Sequence, residues 1–220
     1  MLKVERVLVC GGIRGTWYMI ETTYPNGAKI GEGALSSPDA ILNFWFGEAQ
    51  QLDDINYIHH MMGLWFARAS ATFDAVQSNN KDLLPVIASA SGDMWISPKG
   101  YLARIIVLDQ FPRSIYRGTE QAFAYDALVS RLCCEVIEKE WISQYAIIQQ
   151  FFIGVALQHS ENLAHQELGV SIANGIISGS NTELAKYFSN LKGYPHEHFD
   201  VIEKFGRFPS RNEILVMRTA

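Results

Sequence analysis

The stretch LARIIVLDQFPRSIYRG, residues 102–118, indicates both the fold and the place of a polar site. The apolar run from Leu102 to Leu108 has helical periodicity, and Pro98 is a typical first residue for such a helix. We expect the helix to end near Asp109. A carboxylate at the C-terminal end of a helix is disfavoured by about 0.3–1 kcal/mol unless it is paired. The sequence therefore predicts a specific partner for this carboxylate.

Two arginines that follow the aspartate are the nearest partners. If Pro112 starts a new turn, Arg113 and Arg117 are four residues apart and lie on one face. Both guanidiniums could clamp Asp109, or one could pair with it while the other binds a carboxylate or phosphate of a ligand. The alternative is that the cluster only locks a helix corner. The residues leave both interpretations open.

The composition favours a globular protein. The chain has 220 residues, of which 48% are hydrophobic and 19% charged, enough apolar material for a core and too little charge for disorder. Its net charge of −5 argues against nucleic acid and against an anionic membrane as partners. We expect an anionic small molecule bound by the local arginines, or alternatively a peptide or protein.

The cysteines and the absence of long apolar runs indicate a cytoplasmic protein. Cys10, Cys133 and Cys134 form no C-x-x-C pair, and adjacent cysteines rarely bond to each other without strain, so we expect reduced thiols. No apolar run reaches the ~18 residues of a membrane span, and the N-terminal apolar stretch breaks at Gly11-Gly12. Neither a membrane segment nor a secretory signal is predicted.

The pattern changes near residue 36. Residues 1–36 contain runs rich in β-branched and aromatic residues separated by glycines, which predicts a β-hairpin or an irregular, disordered extension. From Ser37, a good N-cap, residues 37–220 show helical periodicity and predict one all-α domain of antiparallel helix pairs. The first expected helix runs from Pro38 up to Gly47, and a long helix is expected to be capped by Thr119. Ser180 and Glu183 are expected to form a capping box for the helix 184–191. The other expected helices are 53–79, 83–90, 98–108, 142–166 (possibly in two pieces) and 198–205.

The aromatic residues are expected to form the core, because Phe and Trp at helical spacing bury large areas. The set comprises Phe44, Trp45, Phe46, Trp65, Phe66 and Trp95.

A second polar corner lies near the C-terminus. The stretch FGRFPSRN, residues 205–212, again places arginines beside Phe-Pro and ends in Asn212. Between the two corners, a helical face that includes Phe152 starts apolar and turns polar at His159 and Gln166. A buried imidazole or amide without a partner costs about 1–3 kcal/mol, so we expect His159 to face a polar pocket.

Two sharper chemistries receive less support. His159, Glu161 and His198 offer nitrogen and oxygen ligands, but the chain has no His-Glu-x-x-His motif, so no metal site is predicted. Ser160 follows His159 without a Gly-x-Ser-x-Gly elbow, which argues against a serine nucleophile. The sequence indicates no particular cofactor.

Several longer motifs follow one another along the chain. They are Phe44-Trp45-Phe46-Gly47, Trp65-Phe66, Phe73-Asp74, Leu108 to Arg113, Arg117-Gly118-Thr119, Phe123-Ala124 with Asp126, His159-Ser160-Glu161 with Gln166, His198, and Phe205 to Asn212. Together they resemble the domain-of-unknown-function 924 family over roughly residues 38–215. The resemblance implies a helical fold similar to tetratricopeptide-like superhelices, and it implies no particular activity.

The chain also departs from the pattern of that family. The family usually has His where Ser210 stands, and Gly and Arg where Val216 and Met217 stand. A function that depends on that His and Arg is therefore altered in this chain. Residues 1–36 have no counterpart in the family.

Two functions remain open. In the first, the two corners converge on a pocket in which the arginines hold an anion and a histidine acts as acid or base, as in hydrolysis or proton transfer. In the second, the protein is a tetratricopeptide-like module that binds a peptide or protein, and the corners are structural latches. The candidate catalytic residues are His159, Glu161, His198 and Asp109, and the candidate ligand-binding residues are Arg113, Arg117, Gln166, Arg207, Arg211 and Asn212.

Overall fold

The computed structural model describes residues 6–10, 17–21, 34–47, 54–66, 71–179, 182–191 and 193–215. Two N-terminal strands, β1 (Arg6–Cys10) and β2 (Trp17–Glu21), pair antiparallel, with Arg6 opposite Glu21. The strand-like composition of this segment is thus matched by a two-stranded sheet. The glycines at 11, 12 and 15 lie outside the described residues, and the predicted division of the chain at residue 36 stays a prediction.

The remainder of the described chain is helical, which confirms the predicted all-α class. Among the described residues, the short 3-10 helices Glu120–Phe123 and Ile142–Gln144 lie between longer helices, and a third, Pro209–Arg211, follows the last one. The described helices are α1 (Pro38–Phe46), α2 (Ile55–Phe66), α3 (Ala71–Asn79), α4 (Leu83–Ala88), α5 (Pro98–Ile115), α6 (Asp126–Glu138), α7 (Ile147–Gln158), α8 (Leu163–Gly179), α9 (Thr182–Leu191) and α10 (Gly193–Phe205). A tetratricopeptide-like arrangement of these helices stays a prediction.

Helix α1 begins and ends as its sequence predicts. The Ser37 hydroxyl accepts a hydrogen bond from the Ala40 N–H at 3.2 Å, and Pro38 occupies the first turn, where its missing N–H costs nothing. Gly47 ends the helix with a positive φ of 52°, a conformation that glycine adopts without steric strain.

The central helix, α5, is longer than predicted. It runs through Pro112 to Ile115, and the Tyr116 N–H still bonds to the Pro112 carbonyl at 2.9 Å, so the predicted end at Asp109 is wrong. Pro112 lies in the last turn, where it removes only one helical bond. Burial explains why the helix continues, since Phe111 and Pro112 are both buried against the core. Helices α1, α3, α4, α6 and α7 all pack on α5.

Other predicted boundaries were also wrong. The predicted helix 53–79 is two helices, α2 and α3. The segment 142–166 does divide into two pieces, as the prediction allowed, because Asn162 starts a new helix by accepting the Ala164 N–H at 2.9 Å, but the first piece begins at Ile147 and not at residue 142. Thr119 precedes a 3-10 helix, and α6 begins only at Asp126. The last helix begins at Gly193 instead of residue 198, and Ser180 lies outside the described residues.

Most of the predicted aromatic core is confirmed. Trp45 and Phe152 are almost fully buried and meet edge to face with ring centroids 5.5 Å apart. Trp65 packs on Phe152 at 4.8 Å. Phe66 differs, because it is 49% exposed, and Trp95 is only partly buried. Phe66 lines the two cavities described below.

Two glycine-to-alanine substitutions test the packing of the helices. A Cβ at Gly100 would lie 2.3 Å from the backbone oxygen of Met94, so Gly100→Ala must shift backbone and should lower the free energy of unfolding by about 1–3 kcal/mol. A Cβ at Gly63, inside α2, meets nothing within 4 Å. Gly63→Ala should therefore raise the free energy of unfolding by up to about 1 kcal/mol. Urea unfolding of both variants measures the difference, and equal effects would contradict this packing.

Candidate functional site

A buried aspartate and a histidine form the centre of the site. Asp109 is in the penultimate turn of α5 and only 1% exposed. Its Oδ1 lies 2.7 Å from Nδ1 of His159, the residue that ends α7. Gln110 donates its side-chain N–H to the other carboxylate oxygen, Oδ2. A carboxylate so deeply buried is stable only when its oxygens have such partners.

The charges of the pair follow from these contacts. Burial alone would raise the pKa of Asp109, but Arg113, His159 and Gln110 together lower it to about 2. Burial lowers the pKa of His159, against the opposing effect of Asp109. At neutral pH Asp109 is therefore ionised, and the neutral imidazole carries its proton on Nδ1 and donates it to Asp109. Among the described residues Nε2 has no hydrogen-bond partner, and the His159 side chain is 23% exposed.

Arg113 connects this pair to helix α6. Its Nη1 donates to the backbone oxygen of Asp109 at 3.0 Å and lies 3.3 Å from the Asp109 carboxylate. Its Nη2 donates to Oδ1 of Asp126, the first residue of α6, at 2.9 Å. Both terminal nitrogens of the Arg113 guanidinium therefore contact aspartates within the protein.

Arg211, from the second polar corner, completes the cluster. Its Nη2 donates to the backbone oxygen of His159 at 2.8 Å, and its Nη1 lies 3.0 Å from Oδ2 of Asp126. The guanidinium is held between two aromatic rings, 4.3 Å from the centroid of Phe123 and 4.8 Å from that of Phe208. Cation–π contacts of this kind add to the ion pair. Burial raises the pKa of Asp126 above its usual value, an effect that the two arginines oppose.

The two corners predicted from sequence therefore meet. Glu161, in the turn between α7 and α8, accepts the Phe208 N–H at 2.9 Å and lies 3.8 Å from Nη1 of Arg211. The segment that follows α10 is thus fastened to the turn that carries His159.

The other predicted site residues lie around this cluster in different environments. Gln166 is fully buried and donates to the backbone oxygens of Gln158 and Ser160, so it fixes the α7–α8 turn. Asn212 is 6% exposed, and within the described residues its Oδ1 has no donor. Arg207 is half-buried, and Arg117 is exposed.

His198 meets His159 through a shared cavity. Its Nδ1 lies 2.7 Å from the backbone oxygen of Tyr194, one turn earlier in α10. That cavity has a volume of about 440 Å³, and its lining is almost entirely apolar. The lining residues come from α2, α7, α8, α9 and α10 and include Phe66, Ile172 and Ala173. It falls in the range of ligand pockets, ~300–1,000 Å³.

A second cavity is also lined by His159. Its volume is about 240 Å³, and Phe66 and His159 line both cavities. The smaller cavity is polar, with lining residues that include Asp74, Gln77, Gln110, Ser114 and Arg117. The Ser114 hydroxyl donates to Asp74 at 2.7 Å, while Gln77 is 97% buried with no donor to its Oε1 in the described part of the chain.

The sequence prediction of the site omitted two carboxylates. Asp126 receives both arginines, and Asp74 lines the polar cavity. Each had a signal, because each stands in a motif shared with the family, beside Phe123-Ala124 and Phe73 respectively. Their helical spacing alone could not place them at the site, since they are far from Asp109 along the chain.

Metal and membrane sites receive no support from the described residues. No group of three or more His, Cys, Asp or Glu side chains arranged to hold a metal occurs among them. In the same part of the chain, none of the helices is both long and apolar enough to span a bilayer.

Comparison with known proteins identifies relatives without an assigned activity. The sequence model of a family described as bacterial protein of unknown function (DUF924) matches residues 41–220. A structure of a protein of unknown function from Agrobacterium tumefaciens is similar with a TM-score of 0.62 and 26% sequence identity, over 83% of this chain and 92% of that one. No curated protein shows significant similarity to the chain.

Two arginines four residues apart provide a matched test of the ion-pair cluster. Arg113→Met leaves two buried carboxylates without a shared cation, which should lower the free energy of unfolding by about 3–5 kcal/mol. Arg117→Met changes an exposed side chain and should alter it by less than about 0.5 kcal/mol. Guanidinium chloride unfolding measures both. An Arg113→Met variant as stable as the wild type would contradict a latch role.

The depressed pKa of Asp109 predicts a pH dependence. Because its pKa is about 2 in the folded protein and ~3.9 in the unfolded chain, its contribution is complete above pH ~4 and is lost as the pH falls towards 2. The loss amounts to about 3 kcal/mol. Asp109→Asn should flatten the curve of unfolding free energy against pH in this range. Equal slopes for Asp109→Asn and the wild type would refute the assignment.

Proposed function

The chain belongs to the DUF924 family of bacterial proteins, and on that premise we propose that it binds a small anionic molecule beside His159. We further propose that His159, oriented by Asp109, accepts and returns a proton during a hydrolysis or proton-transfer reaction. Both roles belong to the polar site predicted from the sequence.

The observation that carries this proposal is the Asp109–His159 hydrogen bond beside two cavities. A general base needs a free lone pair and a fixed orientation. Asp109 fixes the tautomer by accepting the Nδ1 proton, which leaves the Nε2 lone pair available, the same division of roles as between aspartate and histidine in hydrolytic triads. The lowered pKa of His159 keeps the imidazole neutral, and hence basic, at physiological pH.

Of the four arginines predicted to bind a ligand, we assign the anion-binding role to Arg117. Arg113 and Arg211 use their guanidiniums on Asp109, Asp126 and the His159 backbone, which supports a latch role for both. Arg117 lines the polar cavity and has no ion-pair partner among the described residues. A ligand in that cavity can reach Arg117 without breaking the cluster.

The remaining predicted catalytic residues receive supporting roles. Glu161 holds the second corner through the Phe208 N–H and is therefore a positioning residue. His198 lines the apolar cavity with its Nδ1 engaged by Tyr194, so its Nε2 is the nitrogen available to a ligand. It is a second proton donor or acceptor within the proposed site.

The alternative function is a tetratricopeptide-like module that binds a peptide. The apolar lining of the larger cavity favours it, because peptide grooves are typically apolar. Against it, a buried histidine with an aspartate partner has no use in a groove that recognises a peptide only by apolar contact. Under this alternative, replacing His159 would leave peptide binding unchanged.

A histidine substitution tests the proposed function. His159→Gln should reduce the kcat/KM for hydrolysis of 4-nitrophenyl acetate by at least about 100-fold, and Asp109→Asn by a comparable factor, since loss of a general base typically costs 10²–10⁴-fold. His196→Gln, at an exposed position on α10, is the matched control and should retain the wild-type rate.

The pH profile adds an independent readout. The rate for the wild type should rise with pH through a pKa below that of an ordinary histidine, because only the neutral imidazole is a base. A His159→Gln variant with the wild-type rate and pH profile would overturn the proposal.

A further inference from the structure

The two cavities that meet at His159 differ in chemistry. On one side the lining is apolar, from residues such as Phe151, Ile172 and Ile176. On the other side it carries Asp74, Gln110 and Arg117. A ligand that lies against His159 and fills both cavities must therefore be apolar at one end and polar at the other.

We infer that the ligand is an acyl compound, in which a medium-length hydrocarbon chain occupies the apolar cavity and a small monoanionic head occupies the polar one. This inference rests on the proposed function and specifies the substrate of that same site. It places the carbonyl group that joins chain and head beside His159, a residue that lines both cavities.

The apolar cavity supports the chain. Its volume of about 440 Å³ is lined largely by apolar side chains, so a hydrocarbon that enters it leaves water without losing hydrogen bonds. Each buried CH₂ should strengthen binding about threefold to fourfold. Two of the polar residues that line this cavity, His159 and His198, belong to the proposed acid–base site.

The polar cavity supports a head with one negative charge. Arg117 offers a cation, but Asp74 lines the same space and repels further negative charge. Arg113 also lines it, yet its charge is balanced by Asp109 and Asp126. A carboxylate therefore fits this balance better than a dianionic phosphate. Ser114 donates its hydroxyl to Asp74, which leaves the second Asp74 oxygen as an acceptor for a donor on the head.

The reaction that follows is hydrolysis of the acyl bond. Water adds to the carbonyl carbon as His159 Nε2 takes its proton, and the bond between that carbon and the oxygen of the head then breaks. The imidazolium returns the proton to the leaving oxygen. An ester and one water thus give a carboxylic acid and an alcohol, with no other reactant.

Four esters separate the two ends of this ligand. They are the acetyl and octanoyl esters of 4-nitrophenol, which has a neutral head, and the acetyl and octanoyl esters of 4-hydroxybenzoate, which has a carboxylate. For the wild type we expect kcat/KM to be at least about tenfold higher for each octanoyl ester than for its acetyl counterpart.

Matched variants assign each preference to its cavity. Ala173→Phe narrows the apolar cavity and should abolish the preference for octanoyl, whereas Ala164→Phe, at an exposed position of the same helix, should keep it. Arg117→Met should lower kcat/KM at least about tenfold for the hydroxybenzoate esters and by a clearly smaller factor for the nitrophenyl esters. Arg131→Met, an exposed arginine on α6, should change neither.

Binding provides a second measurement that does not need turnover. Calorimetry with octanoate and acetate on the His159→Gln variant should detect octanoate at least about tenfold more tightly, and Ala173→Phe should remove the difference.

The outcomes separate the two proposals. Hydrolysis that depends on His159 but shows no octanoyl preference, or keeps it in Ala173→Phe, overturns this inference and leaves the proposed function intact. Hydrolysis that is unchanged in His159→Gln overturns the proposed function. The calorimetry then decides whether the apolar cavity binds a hydrocarbon chain. Equal binding of octanoate and acetate overturns the inference by itself.

Discussion

The burial of one carboxylate, Asp109, is the constraint on which this site depends. A charge almost entirely removed from water on the central helix must be paired, or the helix cannot pack. Its partners come from three directions: His159 from the end of α7, Arg113 from one turn further along α5, and Gln110 from the adjacent position. Arg113 also forms an ion pair with Asp126, and Asp126 forms a second ion pair with Arg211.

This chain of pairings joins stability to proposed chemistry. The same contact that pays for burying Asp109 also fixes which nitrogen of His159 carries the proton. Arg113 and Arg211, which were predicted to bind a ligand, instead balance the charges of Asp109 and Asp126. In our proposal the polar residues therefore have two different roles. Arg113 and Arg211 stabilise the fold, and His159 and Arg117 face the ligand.

The sequence predicted the class of the fold and the presence of the site better than its details. Helical periodicity, the Ser37 cap and the apolar face of α5 were sufficient for the all-α class, because these signals are local. The end of α5 was missed, since burial of Phe111 and Pro112 outweighs the lost hydrogen bond of a proline. The roles of Arg113 and Arg117 could not be separated from spacing, because Asp126, which engages one and not the other, lies on a different helix. The two cavities were also beyond prediction, as they arise from packing between helices distant in sequence.

The anchoring of Arg211 has a consequence for the order in which the protein is made. Arg211 follows His159 by 52 residues, and it binds both the His159 carbonyl and Asp126. At typical synthesis rates of about 5–20 residues per second, on the order of 3–10 s pass between the two residues. During that interval Arg211 is not yet present, so Asp126 lacks its second ion pair and the His159 carbonyl lacks the hydrogen bond from that guanidinium. Docking of the segment after α10 is therefore the event that completes the ion-pair cluster.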